Sequence, residues 1–160
     1  MEISTLRFGD IEIDESKLVY FKDGLPGLED NKQFAVLQFS ESYPVNWMQS
    51  VEDGAICLPV IDSFAAVPEY TFNISDNDVT ELELNSPKDL YVLSVVVIPE
   101  ELEGMTMNLA APVVINIETG QAKQIILNGG EYNVRYPVFK EICRLIKEAE
   151  ADVGSVKEDK

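Results

Sequence analysis

The 160-residue chain contains no histidine. That removes the commonest general base, the Ser-His and Cys-His nucleophile pairs, and most transition-metal sites. It has two cysteines, Cys57 and Cys143, and no C-x-x-C pair. Both read as small buried hydrophobes in a reducing compartment, not as a metal or redox site. No phosphate-binding G-x-x-x-x-G-K-[ST] or G-x-G-x-x-G run occurs. The acids have no EF-hand spacing. Asp76 with Asp78, and Glu100-Glu101 with Glu103, read as a solvated helix start and a solvated turn. No apolar run is long enough to span a bilayer. The first residues, MEISTLRFGDIEID, have neither the basic nor the apolar region of a signal peptide. These absences disfavour an enzyme, a metal or cofactor, and a membrane protein, and lead us to expect a cytoplasmic binding protein.

Positive charge is also scarce. The formal net charge is −17, and from Gln33 to Ala122 fourteen carboxylates face a single basic residue, Lys88. Phosphate backbones are bound by lysines and arginines that release counterions, so direct nucleic-acid binding is disfavoured. A basic protein partner would be attracted and steered instead. Gly24-Leu-Pro-Gly27 matches the G-x-x-G spacing of a KH backbone clamp. It follows a strand-like run and leads into Leu28-Glu29-Asp30, where a KH loop would be basic and lie between helices. It therefore reads as a tight loop.

What is present is a period of two. Short strand-like runs occupy 3–8, 11–14, 17–21, 34–39, 45–51, 55–61 and 69–74, and apolar alternation recurs at 112–118 and 122–127. The run 90–98 is apolar almost throughout and predicts a central strand covered on both faces. Pro59 lacks a ladder donor, so an edge or bulge is expected there. Ser75 predicts the N-cap of a short helix near 75–84, with Asp76 and Asp78 at its positive end and Val79 and Leu82 inward. After Pro137, the spacing of Val138, Phe139, Ile142, Cys143, Leu145 and Ile146 predicts a helix over 138–149. The expected architecture is mainly β: a single-domain, antiparallel β-barrel-like fold over 1–147, with a polar, flexible tail at 148–160.

The segment 108–127 reads as a β-hairpin. Pro112 opens its first strand, and Glu118-Thr-Gly-Gln121 is the turn, with Gly120 at positive φ. Val113, Ile115 and Ile117 are expected on one face, with Val114, Asn116 and Glu118 on a polar one. Asn108 and Asn116 would satisfy local backbone groups.

Three motifs in this order, Phe21-Lys-Asp-Gly-Leu-Pro-Gly27, Asn108-Leu-Ala-Ala-Pro-Val-Val-Ile-Asn116 and Lys123-Gln-Ile-Ile-Leu127, resemble the bacterial flagellar assembly factor family, FliW. The resemblance runs from about Ile3 to about Phe139. It implies a barrel-like β domain without catalysis or cofactor. It also implies a protein that binds flagellin and, when free of it, binds the translational repressor CsrA. Capture of CsrA would relieve repression of flagellin messenger RNA. The resemblance implies non-competitive action, hence allosteric antagonism assisted by the acidic surface. The alternatives are an acidic competitor in the RNA site of CsrA, or a structural subunit of another assembly. The unbound protein is expected to be a monomer.

A protein interface needs a few large anchors inside a polar rim. The partner-binding candidates are Phe21, Leu25 and Pro26 at the first loop, and Asp62, Phe64, Glu69 and Tyr70 at the second. Gly24, Gly27, Asn108, Pro112, Asn116 and Gln124 carry the resemblance and read as scaffold.

Overall fold

The structure, a computed structural model, describes the backbone of residues 1–158 and the side chains of residues 1–151. Strands β1 (Glu2–Thr5) and β2 (Gly9–Glu12) form a separate antiparallel hairpin. Strands β3 (Leu18–Phe21), β4 (Gln33–Leu37), β5 (Val45–Ser50) and β6 (Cys57–Asp62) follow as an antiparallel meander. Two short helices, α1 (Ser63–Ala66) and α2 (Asp76–Glu81), precede β7 (Leu90–Val97). Next come β8 (Thr106–Met107), β9 (Val113–Asn116), β10 (Gln121–Gln124), β11 (Tyr136–Pro137) and the helix α3 (Phe139–Glu158).

The sheet closes on itself. β7 pairs with β6 along one edge and with β9 along the other, and β10 returns from β9 to β3. Closure removes the free edges that would otherwise recruit other chains. The fold is thus barrel-like and mainly β, with one departure from the antiparallel expectation: β10 joins β3 in parallel.

Period-two alternation sends Val19, Phe21, Phe34, Met48, Val60, Leu93, Val113 and Ile115 into the barrel, where Leu25 joins them. The outer wall is covered as well. The β1–β2 hairpin brings Ile3 and Ile13 against Ala35. Helix α2 brings Leu82 against Val92 and Val114. Helices α1 and α3 bring Ala66, Ile142 and Leu145 against Val45, Ile61 and Val96. β7 is therefore buried on both faces through most of its length, as its apolar run predicts.

Several expectations need correction. No strand forms over 69–74. Tyr132 takes the place of a neighbouring strand: its hydroxyl accepts the Thr71 N–H at 3.1 Å and donates to the Thr71 carbonyl at 2.7 Å. Pro59 sits within β6 opposite Trp47 and forms no bulge; of the edge or bulge expected, it is the edge that is met, since β6 has no β7 partner at this position. The Ser50 N–H bonds Ile56 O, and alternation makes Trp47–Pro59 a pair without ladder bonds. Pairing of β6 with β7 begins only at Val60, so the missing donor interrupts nothing. Helix α3 does not stop near 149 but continues to Glu158, so most of the expected flexible tail is helical. Residues 159–160 of that tail lie outside the described residues. Cys57 and Cys143 are free and only half-buried. Among the described residues no helix is long and apolar enough to cross a membrane.

Candidate functional site

The two loops singled out from sequence occupy different surroundings. The first begins at the end of β3. Gly24 adopts φ +69°, and a Cβ there would lie 2.6 Å from the Glu29 backbone, so only glycine fits. The turn it makes sends Leu25 into the barrel end, 3% exposed, where it pairs with Leu28 through a β-bridge. Phe21 is buried in the same interior, edge-on to Phe34. Pro26 alone of the three stays on the surface. The Gly27 N–H donates to the Glu29 carboxylate, which holds that carboxyl below its usual range.

Pro26 separates two grooves. One, about 390 Å³, runs between the loop and the hairpin, past Tyr20 and Gln121 to Glu81. The other, about 270 Å³, is apolar and passes over Leu58 and the exposed Val97 and Val134. Across the first groove Lys123 donates to Asp78 at 2.7 Å and to Glu81 at 2.9 Å, tying α2 to β10. The Lys123 hydrogen bond holds the Asp78 carboxyl below its ordinary value of 3.8. The same contact, with Glu81, raises the ammonium of Lys123. A lowered acid pKa contributes stability above its unfolded value and loses it as pH falls through the folded value. Wild type is therefore expected to lose more stability than Asp78→Asn between pH 5 and pH 2 in urea titrations. Equal losses would show that the clamp does not stabilise the fold.

The second loop is organised by α1. Asp62 is its N-cap and accepts from the Phe64 and Ala65 N–H groups at 3.1 Å each. Phe64 is 44% exposed and lies parallel to Phe72, with ring centroids 6.3 Å apart. Tyr70 is buried beneath them and donates to the Leu109 carbonyl at 2.6 Å; burial pushes its phenol pKa up. Glu69 is exposed beside it. The accessible candidates are thus Pro26, Asp62, Phe64 and Glu69. Phe21, Leu25 and Tyr70, expected as anchors, are core residues, because closure of the barrel and the aromatic cover over its wall leave them no path to solvent.

The residues carrying the resemblance are tied into the fold. Asn108 accepts from the Ala110 and Ala111 N–H groups. The Pro112 carbonyl accepts from Ile125, and Gln124 donates to the Ala111 carbonyl. Gly120 turns the hairpin at φ +80°, as expected. Asn116 does not lie on a polar face: it is 1% exposed and donates to the carbonyls of Leu82 and Glu83. Sequence reading missed the exposed Phe39 and Tyr43, near which Phe8 and Trp47 pack. The sequence signal there was an aromatic residue at the end of the 34–39 run and another in the segment that follows it.

A profile of the FliW protein family matches residues 2–138. The chain is 36% identical over 146 residues to a flagellar assembly factor FliW of Alkaliphilus metalliredigens, covering 91% of this chain and 90% of that protein. It is 37% identical over 131 residues to one of Thermosipho africanus, covering 81% and 90%. A crystal structure of the flagellar assembly factor FliW superposes with a TM-score of 0.81 at 33% identity, covering 87% of this chain and 97% of that one. These matches span most of the length, and the chain belongs to the FliW family of flagellar assembly factors.

Proposed function

We propose that this protein is a cytoplasmic, non-catalytic regulator that binds flagellin and, when free of it, captures a CsrA-type translational repressor. Capture lifts the block on flagellin messenger RNA, so synthesis follows export. The observation that supports this reading is the charge of the span Gln33–Ala122, with fourteen carboxylates and one lysine. That surface is unsuited to RNA and suited to steering a basic RNA-binding protein. Pro26 and the Asp62, Phe64 and Glu69 surface are the contacts we assign to partners. Antagonism is allosteric in this reading, with the negative field of the bound factor weakening RNA binding from outside the RNA site.

The test is repressor affinity for RNA at rising concentrations of this protein. A plateau in apparent affinity supports a ternary complex. A shift that grows without limit means direct competition for the RNA site. Pro26→Ala with Phe64→Ala is expected to weaken partner binding by about tenfold or more while the melting temperature stays close to wild type, because exposed anchors act in the complex and not in the core. Unchanged affinity for both partners would remove these two residues from the interface.

A further inference from the structure

A recess of about 330 Å³ opens between the loop after β4 and helix α1. Phe39 and Tyr43 stand on one side of it, 37% and 48% exposed. Asp62 lies on the other, next to Ala65, and Leu145 of α3 closes that wall. Apart from Asp62, the polar side chains of the lining are neutral, and Asn46 donates to the Tyr91 hydroxyl at 3.5 Å. Among the described residues, the only charged side chain in the lining is Asp62. Burial, and after it the charge of Asp62, pushes the Tyr91 phenol up.

The basic side chain that precedes Leu145 on α3 is already engaged. Arg144 donates to the carbonyls of Ala65 and Ala66 at 2.9 and 3.2 Å and to Glu148 at 3.1 Å. A guanidinium packs on an aromatic face beside the loop after β4. Arg7 stands 4.7 Å from the ring centre of Trp47, whose indole N–H donates to Ser42 in the loop. Aromatic rings beside one carboxylate, with no competing cation in the lining, match a planar guanidinium on an apolar stem.

We propose that this recess receives an arginine side chain of the basic repressor, with its guanidinium between Asp62 and the rings of Phe39 and Tyr43. The identity of the partner rests on the function proposed above; the chemistry of the recess does not.

Two measurements separate these parts. In the first, the full-length protein is titrated with N-acetyl-arginine methylamide and followed by NMR. Resonances around Tyr43, Asp62 and Tyr91 are expected to move in wild type and not in Asp62→Asn, a change that keeps the helix cap. In the second, affinity for purified CsrA-type repressor is measured at low and high salt. Asp62→Asn and Tyr43→Ala are each expected to weaken binding about tenfold or more, Asp62→Asn most at low salt. Glu131→Gln, which removes a charge outside the recess, is expected to change it less than about twofold. No shift with the arginine probe, or wild-type affinity in both recess variants, overturns the proposal. If the probe binds but wild type does not bind the repressor, the proposed function fails and the repressor is excluded as the source of the arginine.

Discussion

Phe21→Ala is expected to lower the stability of the protein by about 3–5 kcal/mol, the range for removing a large aromatic from a packed core. The ring is 1% exposed and stands edge-on to Phe34, with centroids 5.5 Å apart and planes at 85°. Its strand is paired on both sides, with β4 and with β10, so the wall cannot collapse freely into the space left behind. Domains of this kind hold only about 5–15 kcal/mol in total, so one such loss is a large fraction of it. Leu25→Ala is expected to cost about 2–5 kcal/mol for the same reason. The measurement is the urea midpoint by circular dichroism. A normal midpoint with lost partner binding would return Phe21 to the surface role that its place beside the Gly-Leu-Pro-Gly loop first suggested.

The second large effect is expected at Asn116. Its amide donates at 2.8 Å to the carbonyl of Leu82 and at 3.2 Å to that of Glu83, and its oxygen accepts the Glu118 N–H at 2.9 Å. Those carbonyls end helix α2, where Glu83 takes φ 55°, a conformation uncommon for a residue with a side chain. One side chain thus joins the barrel wall, the helix end and the start of the hairpin turn. Asn116→Ala leaves buried polar groups without partners, each costing about 1–3 kcal/mol, so a total loss of about 2–4 kcal/mol is expected. Asn116→Asp is expected to be no better, because it keeps the shape but presents an acceptor to two carbonyl oxygens. Hydrogen exchange is the discriminating readout. The amides of Val79 and Leu82, which bond Ser75 and Asp78, should lose protection before those of β4 and β5. Uniform loss across the barrel would mean that Asn116 does not anchor α2 in particular.

Local signals in the sequence carried a long way. Ser75 caps α2 as its residue type predicts, accepting from the Asp78 N–H at 3.1 Å. Gly120 takes the positive φ that the hairpin turn needs. β7 is covered on both faces through most of its length, as its nearly continuous apolar run predicts. Each of these depends on residues within a few positions of one another. The failures came where the deciding contact is distant. Thr71 looked like the middle of a strand, yet its backbone is satisfied by Tyr132, far along the chain. α1 was missed because it is a four-residue helix held by Asp62 on one side and by Arg144 from α3 on its last carbonyls. A stretch that short has no periodicity to read.

The candidate site shows the same division more sharply. An apolar residue in a loop looks like a binding anchor because nothing nearby in sequence accounts for it. Pro26 and Phe64 are exposed, as such an anchor must be, whereas Leu25 is buried, although all three are apolar residues in segments read as loops. The difference is the direction of a turn: Gly24 bends the chain so that Leu25 closes the barrel end. Alternation similarly assigns Val114 and Asn116 to one face of a strand. It carries no information that this face is the floor of a second core beneath Leu82.

Composition and local spacing were sufficient for the chemical character of this protein. They established an acidic chain without histidine, short alternating strands, one capped helix, and a hairpin turned at Gly120. Which residues meet water was settled by closure of β10 onto β3 and by the three covers laid over the barrel wall. Burial is a property of surfaces brought together from distant parts of the chain, and neither period nor composition encodes it.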